Sequence, residues 1–299
     1  MNPWISAMRL RTLPLSIAGI ITGGVMAYKF SVHNFNIPVF ILAILTALLL
    51  QILSNFANDY GDFENGADNE NRKGPQRAVQ SGRITAQSMK GAIIITAIIT
   101  LIFGLSLLYL AFRNIDLKFI IYFLIGLGCI AAAIQYTMGK NPYGYRGLGD
   151  VFVFVFFGLV SSCGTYFLLT HSFSPEVVLP SISIGAWSTA VLNLNNLRDI
   201  DNDKASGKIT IPVRLGKDNG LIYHYLLISI PFVFNAYYAF LNDNFILLAL
   251  TFMAMIIGYF LFRPLFKNPD HKIFDTLLKK TALFALLFTI LFVTGVLLS

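Results

Sequence analysis

Charge is scarce in this sequence. Asp, Glu, Lys and Arg make up 12% of its 299 residues, about half the share found in a soluble globular domain. Cysteine is scarcer still. Cys129 and Cys163 both fall inside apolar runs, which excludes a disulfide framework and a cysteine metal site. The four histidines, His33, His171, His224 and His271, are scattered, and no pair has ligand spacing. No low-complexity tract or interdomain linker breaks the chain. What is abundant is apolar: 56% of residues are hydrophobic and 27 are Phe.

Apolar runs of 18 or more residues recur, each long enough to cross roughly 30 Å of hydrocarbon. The expected fold is all-α: a polytopic membrane protein, with nine transmembrane helices in one bundle and residues 1–299 in a single domain. The spans are expected at 13–30, 37–57, 90–112, 118–138, 151–170, 178–197, 221–241, 245–262 and 281–298. Arg9, Arg11, the apolar run after them and Val25-Met26-Ala27 also resemble a signal peptide. The run has the length of a span and eight more follow, so it is expected to be retained.

The net charge of +7 has a topological reading that requires no nucleic acid. Of the 22 basic residues, 19 fall in the N-terminal segment and the 58–90, 139–150, 198–220 and 263–280 loops. Cytoplasmic loops are enriched in Lys and Arg. That side is expected to face the cytoplasm of a bacterial inner membrane, with the N-terminus inside. The outward loops are short and the inward ones long and polar, which places the chemistry on the cytoplasmic face.

Acidic residues are the rarest charge, yet five of the fifteen lie between Asp59 and Glu70. Asn58, Asp59 and Asp62 lie three and four apart, so a continuing helix puts them on nearly one face. Carboxylates held so close raise one another's pKa. A hard divalent ion removes that conflict, and Mg²⁺ commonly uses one or two carboxylates plus substrate phosphates. A solvated acidic helix end is the plainer alternative. A second motif ends span 6: Asn195, Asp199 and Asp203 recur every four residues, while Asp201 points elsewhere. Two acidic helix ends in matching positions suggest sites facing one another across a centre. Together they favour Mg²⁺ ions bridging a diphosphate whose organic tail lies in the membrane. Arg72, Arg77, Lys140, Arg146 and Lys208 lie in the loops that would meet it. Tyr136, Tyr143 and Tyr145 flank the 139–150 loop, where aromatic faces can stabilise a cation.

Asn58-Asp59-x-x-Asp62 followed by Asp68, with Asp199-x-x-x-Asp203, resembles the paired aspartate motifs of the UbiA superfamily of intramembrane prenyltransferases. Arg9 to Pro14, Gly74 to Val79, Pro142 to Asp150 and Asn195 to Asp199 are similar to the branch acting on 1,4-dihydroxy-2-naphthoate. The resemblance implies transfer of a polyprenyl group from polyprenyl diphosphate to a dihydroxynaphthoate acceptor, with Mg²⁺ as cofactor and a lipid bilayer around it. It implies Asn58, Asp59, Asp62, Asp199 and Asp203 as catalytic residues. Asn58, Asp62, Asp68, Asn195, Asp199 and Asp203 would be metal ligands. Diphosphate would meet Arg72, Arg77, Tyr136, Lys140, Arg146 and Lys208. The commoner superfamily motif has its third Asp at the position of Gly66 here, which leaves direct metal contact by Asp68 open. The same scaffold serves other acceptors, 4-hydroxybenzoate and homogentisate among them. The Asp-Gly-x-x-Ala-Arg run of CDP-alcohol phosphotransferases is absent. A cation or lipid-phosphate transporter would be expected to carry its acids near mid-membrane, whereas these sit at helix ends.

Overall fold

The computed structural model describes residues 2–267 and 269–299. Among them, nine helices are long and apolar enough to cross a membrane: α1 (Pro3–Phe30), α2 (Ile37–Glu64), α3 (Ala86–Phe112), α4 (Leu117–Gln135), α5 (Gly149–Thr170), α6 (Pro175–Arg198), α7 (Lys217–Leu241), α8 (Phe245–Lys267) and α9 (His271–Leu297). The chain is a multi-pass helical membrane protein. No strand occurs among the described residues.

The hub is α6, the most enclosed of the nine. Ser181, Ser183, Gly185, Ala186, Ser188, Thr189 and Ala190 give it a surface of small side chains, all buried. Small residues let helix backbones approach closely in a bilayer. A Cβ on Gly158 of α5 would stand 2.6 Å from the Ser181 carbonyl oxygen and 2.7 Å from the Gly185 Cα. Packed on the hub, α7 and α9 build a core around the fully buried Trp187. Its ring meets Phe284 and Phe232 edge-on at 5.3 and 5.7 Å and stacks on Phe262 at 6.1 Å.

Several helices run past their hydropathy limits. The last span was expected from residue 281, within a loop from 263. In fact α8 continues to Lys267, and α9 starts at His271, where the Asp270 side chain accepts the Ile273 N–H at 2.8 Å. Lys272, Asp275, Lys279 and Lys280 mask this start in a hydropathy reading, but Phe274, Leu277 and Leu278 are buried at helical spacing. Likewise α2 runs to Glu64 rather than 57, and α3 starts at Ala86 rather than 90, with Thr85 capping the Ser88 N–H. These polar ends lie beyond the apolar run, but the helical backbone bonds continue through them.

By contrast α4 has no buried residue. Together with α1, α2, α3 and α5 it walls a cavity of about 650 Å³. One end of this cavity holds Asn58, Asp62 and Lys208; its length is lined by Leu105, Ile130 and Phe156, and it extends to Phe173 beyond α5.

Candidate active site

Both acidic motifs reach the same end of the bundle, and each is folded by the same local device. Helix α2 stops at Asn65, whose side-chain amide donates to the Gly61 and Thr137 carbonyls at 2.8 and 2.9 Å. Gly66 follows with φ 71°, a left-handed turn that glycine adopts without a Cβ clash. The turn brings the Asp68 N–H back to the Asp62 carbonyl at 3.0 Å. The displaced third acid therefore ends beside the second. In the other half, Gly207 has φ 73° and returns the Lys208 N–H to the Asp203 carbonyl at 2.8 Å. The two halves are tied together where the Asn202 amide donates to the Ala67 carbonyl at 2.8 Å.

Five carboxylates and five bases form one ion-pair network. Arg77 bonds to Asp62 and lies 3.0 Å from Asp68. Arg72 joins Asp68 at 3.3 Å to Asp199 at 3.6 Å, linking the motifs. Lys208 lies 3.6 Å from Asp62 and 3.9 Å from Asp203. Arg198 holds Asp199 and Asp275, each at 2.7 Å, and Arg11 stands 3.8 Å from Asp275. Tyr145 donates to Asp62 Oδ1 at 2.8 Å, and Lys208 lies over its ring, 5.3 Å from the centroid.

Burial opposes the charges of Asp199, Asp203, Asp68 and Arg77, and the partners outweigh it only at Asp199 and Arg77. Burial would raise Asp199, but the hydrogen bonds and charge of Arg198 hold it below the usual carboxylate range. Burial pushes Asp203 up to about 6, with Lys208 pulling against it. Asp68 is also raised by burial, against the pull of Arg77. Arg77 is held above the ordinary guanidinium range because Asp62 and Asp68 outweigh its desolvation. Burial, with the negative charge of Asp62, raises Tyr145, so it remains a donor.

The expected residues separate into three groups. Asn58, Asp62, Arg77, Tyr136, Asn195 and Lys208 line the cavity. Asp68, Arg72, Asp199 and Asp203 stand behind them, joined through the ion pairs. Lys140 and Arg146 are not brought in. Both are exposed, and neither pairs with an acid among the described residues, because the 139–150 loop turns them to the surface.

Asp59 departs from its expected catalytic place. Its side chain leaves the Asp62 face and accepts the Ala78 and Val79 N–H groups at 3.2 and 3.1 Å. Those two amides anchor the segment that carries Arg77, so Asp59 positions that base. Asp59→Ala is expected to cost about 1–3 kcal/mol of stability by leaving two buried amides unpaired. It should raise KM more than it lowers kcat. Thermal unfolding in detergent with steady-state kinetics checks this; a lost kcat at normal stability would mean that Asp59 meets substrate directly.

Other residues of the site were not assigned from sequence. Arg198 and Asp275 belong to the network. Gln51 and Asn55 line the cavity and meet at 3.3 Å, and both reach Thr12 Oγ1. The signal was present: Gln51, Asn55, Asn58 and Asp62 form one polar stripe along an apolar span, and such groups face a cavity or one another.

The donors fit a hard cation. They are carboxylate and amide oxygens only, and Asp68 Oδ1, Asp68 Oδ2 and Asp203 Oδ2 are buried without a hydrogen-bond partner. The acids are not drawn to a single point. Among the described residues no three of them stand in metal-holding array, because Arg77 and Lys208 lie between them.

A membrane bundle with an acid-and-base end beside a long, largely apolar cavity fits an intramembrane site for a molecule with an anionic head and an apolar tail. Residues 17–280 match the UbiA prenyltransferase family. The chain is 41% identical over 296 residues to 1,4-dihydroxy-2-naphthoate octaprenyltransferase of Escherichia coli strain K12, covering 99% of this chain and 95% of that protein. It is 46% identical over 227 residues to the protein of the same name from Haemophilus influenzae, covering 76% and 73%. A UbiA homologue from Archaeoglobus fulgidus, solved with DMAPP and Mg²⁺ bound, shares the fold at TM-score 0.60 and 16% identity over 97% of this chain and 99% of that one. This chain belongs to the UbiA prenyltransferase family.

Proposed function

We propose that residues 1–299 act as one unit that moves a polyprenyl group from polyprenyl diphosphate to 1,4-dihydroxy-2-naphthoate. The products are diphosphate, CO₂ and a demethylmenaquinol. The observation that carries this reading is the position of Asp62, Arg77 and Lys208 at the polar end of a cavity whose remaining length is lined mainly by apolar side chains. The naphthoate acceptor is supported by the relatives at 41% and 46% identity.

Asn58, Asp62, Asp68, Asn195, Asp199 and Asp203 are the oxygen donors that would hold Mg²⁺, which supplies Lewis-acid stabilisation of the departing diphosphate. Arg77 and Lys208 neutralise the acids and face the cavity, so an entering diphosphate gives each a second anion. Charge that develops on the leaving group is stabilised by donors already in place. Arg72 stands behind them and keeps the two motifs together. The C–O bond to the prenyl carbon breaks with its electron pair going to the diphosphate. The ring carbon bearing the carboxylate forms the new C–C bond to the allylic cation. The bond from that carbon to the carboxylate then breaks; CO₂ leaves, the pair of the broken bond returns to the ring, and aromaticity is restored. Tyr136 and Tyr143 line this region; Tyr143 stacks on Phe152 at 4.1 Å, which fixes its orientation. The apolar length of the cavity takes the prenyl tail and keeps water from the cation.

The charge asymmetry of the loops favours an N-terminus and site on the cytoplasmic side, and the relatives from Escherichia coli and Haemophilus influenzae support a bacterial inner membrane. The direct test uses purified protein in detergent, labelled polyprenyl diphosphate and 1,4-dihydroxy-2-naphthoate. Prenylated product should disappear with EDTA and return with Mg²⁺. Turnover indifferent to chelation would sink the metal-assisted reading.

A further inference from the structure

At Arg9 the chain breaks between the helices Pro3–Met8 and Leu13–Phe30, and the backbone is left-handed, with φ 49° and ψ 60°. That conformation is strained for a bulky residue, and Gly or Asn adopts it at less cost. The backbone turn does not call for arginine. What the position supplies is the side chain, which lines the cavity. Its Nη2 is shut off from solvent and has no hydrogen-bond partner, and Arg9 is absent from the ion-pair network described above. Facing the same cavity, Gln51 Oε1 is buried and equally unpartnered. The two elements are pinned together, because the Asn55 amide donates to the Met8 carbonyl at 2.8 Å and to Thr12 Oγ1 at 3.2 Å. A buried guanidinium donor and a buried amide acceptor without partners are each costly, and a ligand carrying the opposite groups would satisfy both.

We propose that Arg9 and Gln51 form the recognition subsite for the aromatic acceptor: Arg9 binds its carboxylate, and Gln51 Oε1 accepts a hydrogen bond from the hydroxyl beside it. This rests on the proposed naphthoate reaction and names the residues that read the acceptor. The other bases of the site, Arg11, Arg72, Arg77, Arg198 and Lys208, already hold carboxylates of the protein. Arg9 is therefore the base open to an anion separate from the diphosphate. Once CO₂ has left, the product offers Arg9 no charge, so the contact that holds the acceptor does not hold the product.

The test is a binding titration without prenyl substrate, followed by fluorescence. The probes are 1-hydroxy-2-naphthoate and its carboxylate-free counterpart 1-naphthol. The wild type should bind the carboxylate about 10-fold more tightly or better. Arg9→Gln should reduce that ratio to about 1 while leaving affinity for farnesyl thiodiphosphate unchanged. Gln51→Glu keeps Arg9 and sets a second carboxylate against the ligand. It should weaken the naphthoate and spare 1-naphthol, which keeps the test decisive if Arg9→Gln does not fold. A wild type that binds both probes equally overturns the proposal. So does a full ratio retained in Arg9→Gln, or in Gln51→Glu, or a loss confined to the thiodiphosphate. These outcomes are separate from the parent reading, which fails only if the wild type forms no prenylated naphthoate.

Discussion

Asp62→Ala is expected to lower turnover by ~10³-fold or more, while the protein still inserts and purifies. Asp62 is the acid on which both halves converge: Arg77, Lys208 and Tyr145 all meet its carboxylate, and it lines the cavity. Alanine removes a proposed oxygen donor for the metal and the group that fixes Arg77 and Lys208, the two bases proposed to meet the diphosphate. Asp203→Ala should act in the same direction, because it removes the unpartnered Oδ2 and the second anchor of Lys208. Both sit at helix ends, away from the Trp187 core, so membrane insertion should be retained. Single-turnover kinetics on membrane-extracted protein make the comparison, and near-normal rates in both variants would falsify the paired-motif account.

Arg77→Ala should damage both activity and stability. Its guanidinium is buried, bonds to Asp62 and to the Asn58 carbonyl at 2.6 Å, and lies against Asp68. Removing one partner of a buried ion pair leaves the other charge uncompensated, at about 3–5 kcal/mol. Turnover should fall by ~10²-fold or more, since a donor proposed to meet the diphosphate is lost. A sharper sign follows from the charges. With Arg77 gone, Asp62 and Asp68 gain more from a divalent cation, so Mg²⁺ should raise the unfolding temperature of the variant more than that of the wild type. Equal shifts would mean that the cation does not bind among these acids.

The bundle was legible because hydropathy reports span length directly. All nine helices were found, and the errors lie where charge interrupts an apolar run, as in the first turns of α9, where Lys272 and Asp275 hide Phe274 and Leu277. The pairing of the motifs was also legible, since Asn58, Asp62, Asn195, Asp199 and Asp203 carry helical spacing. Loop geometry was not. Nothing in the spacing places Asp68 beside Asp62; the left-handed Gly66 does so. Nothing in composition separates Lys208, which turns inward after Gly207, from Lys140, which remains exposed. Asp59 has the residue type of a ligand and the neighbours of a cap. Gln51 and Asn55 carry the same signal as Asn58 and Asp62, polar groups at helical spacing in an apolar helix, but no charge marks them. Arg9 is visible only in three dimensions, because its unpartnered state depends on where five other bases find acids.

The measurement that tests the central claim most directly is a competition assay on the full chain in detergent with Mg²⁺. A labelled polyprenyl diphosphate is offered equal 1,4-dihydroxy-2-naphthoate and 4-hydroxybenzoate, and prenylated products and CO₂ are counted together. The account predicts prenylated naphthoate, one CO₂ per prenyl group transferred, and no product from 4-hydroxybenzoate. Product from 4-hydroxybenzoate alone, without CO₂, would contradict it.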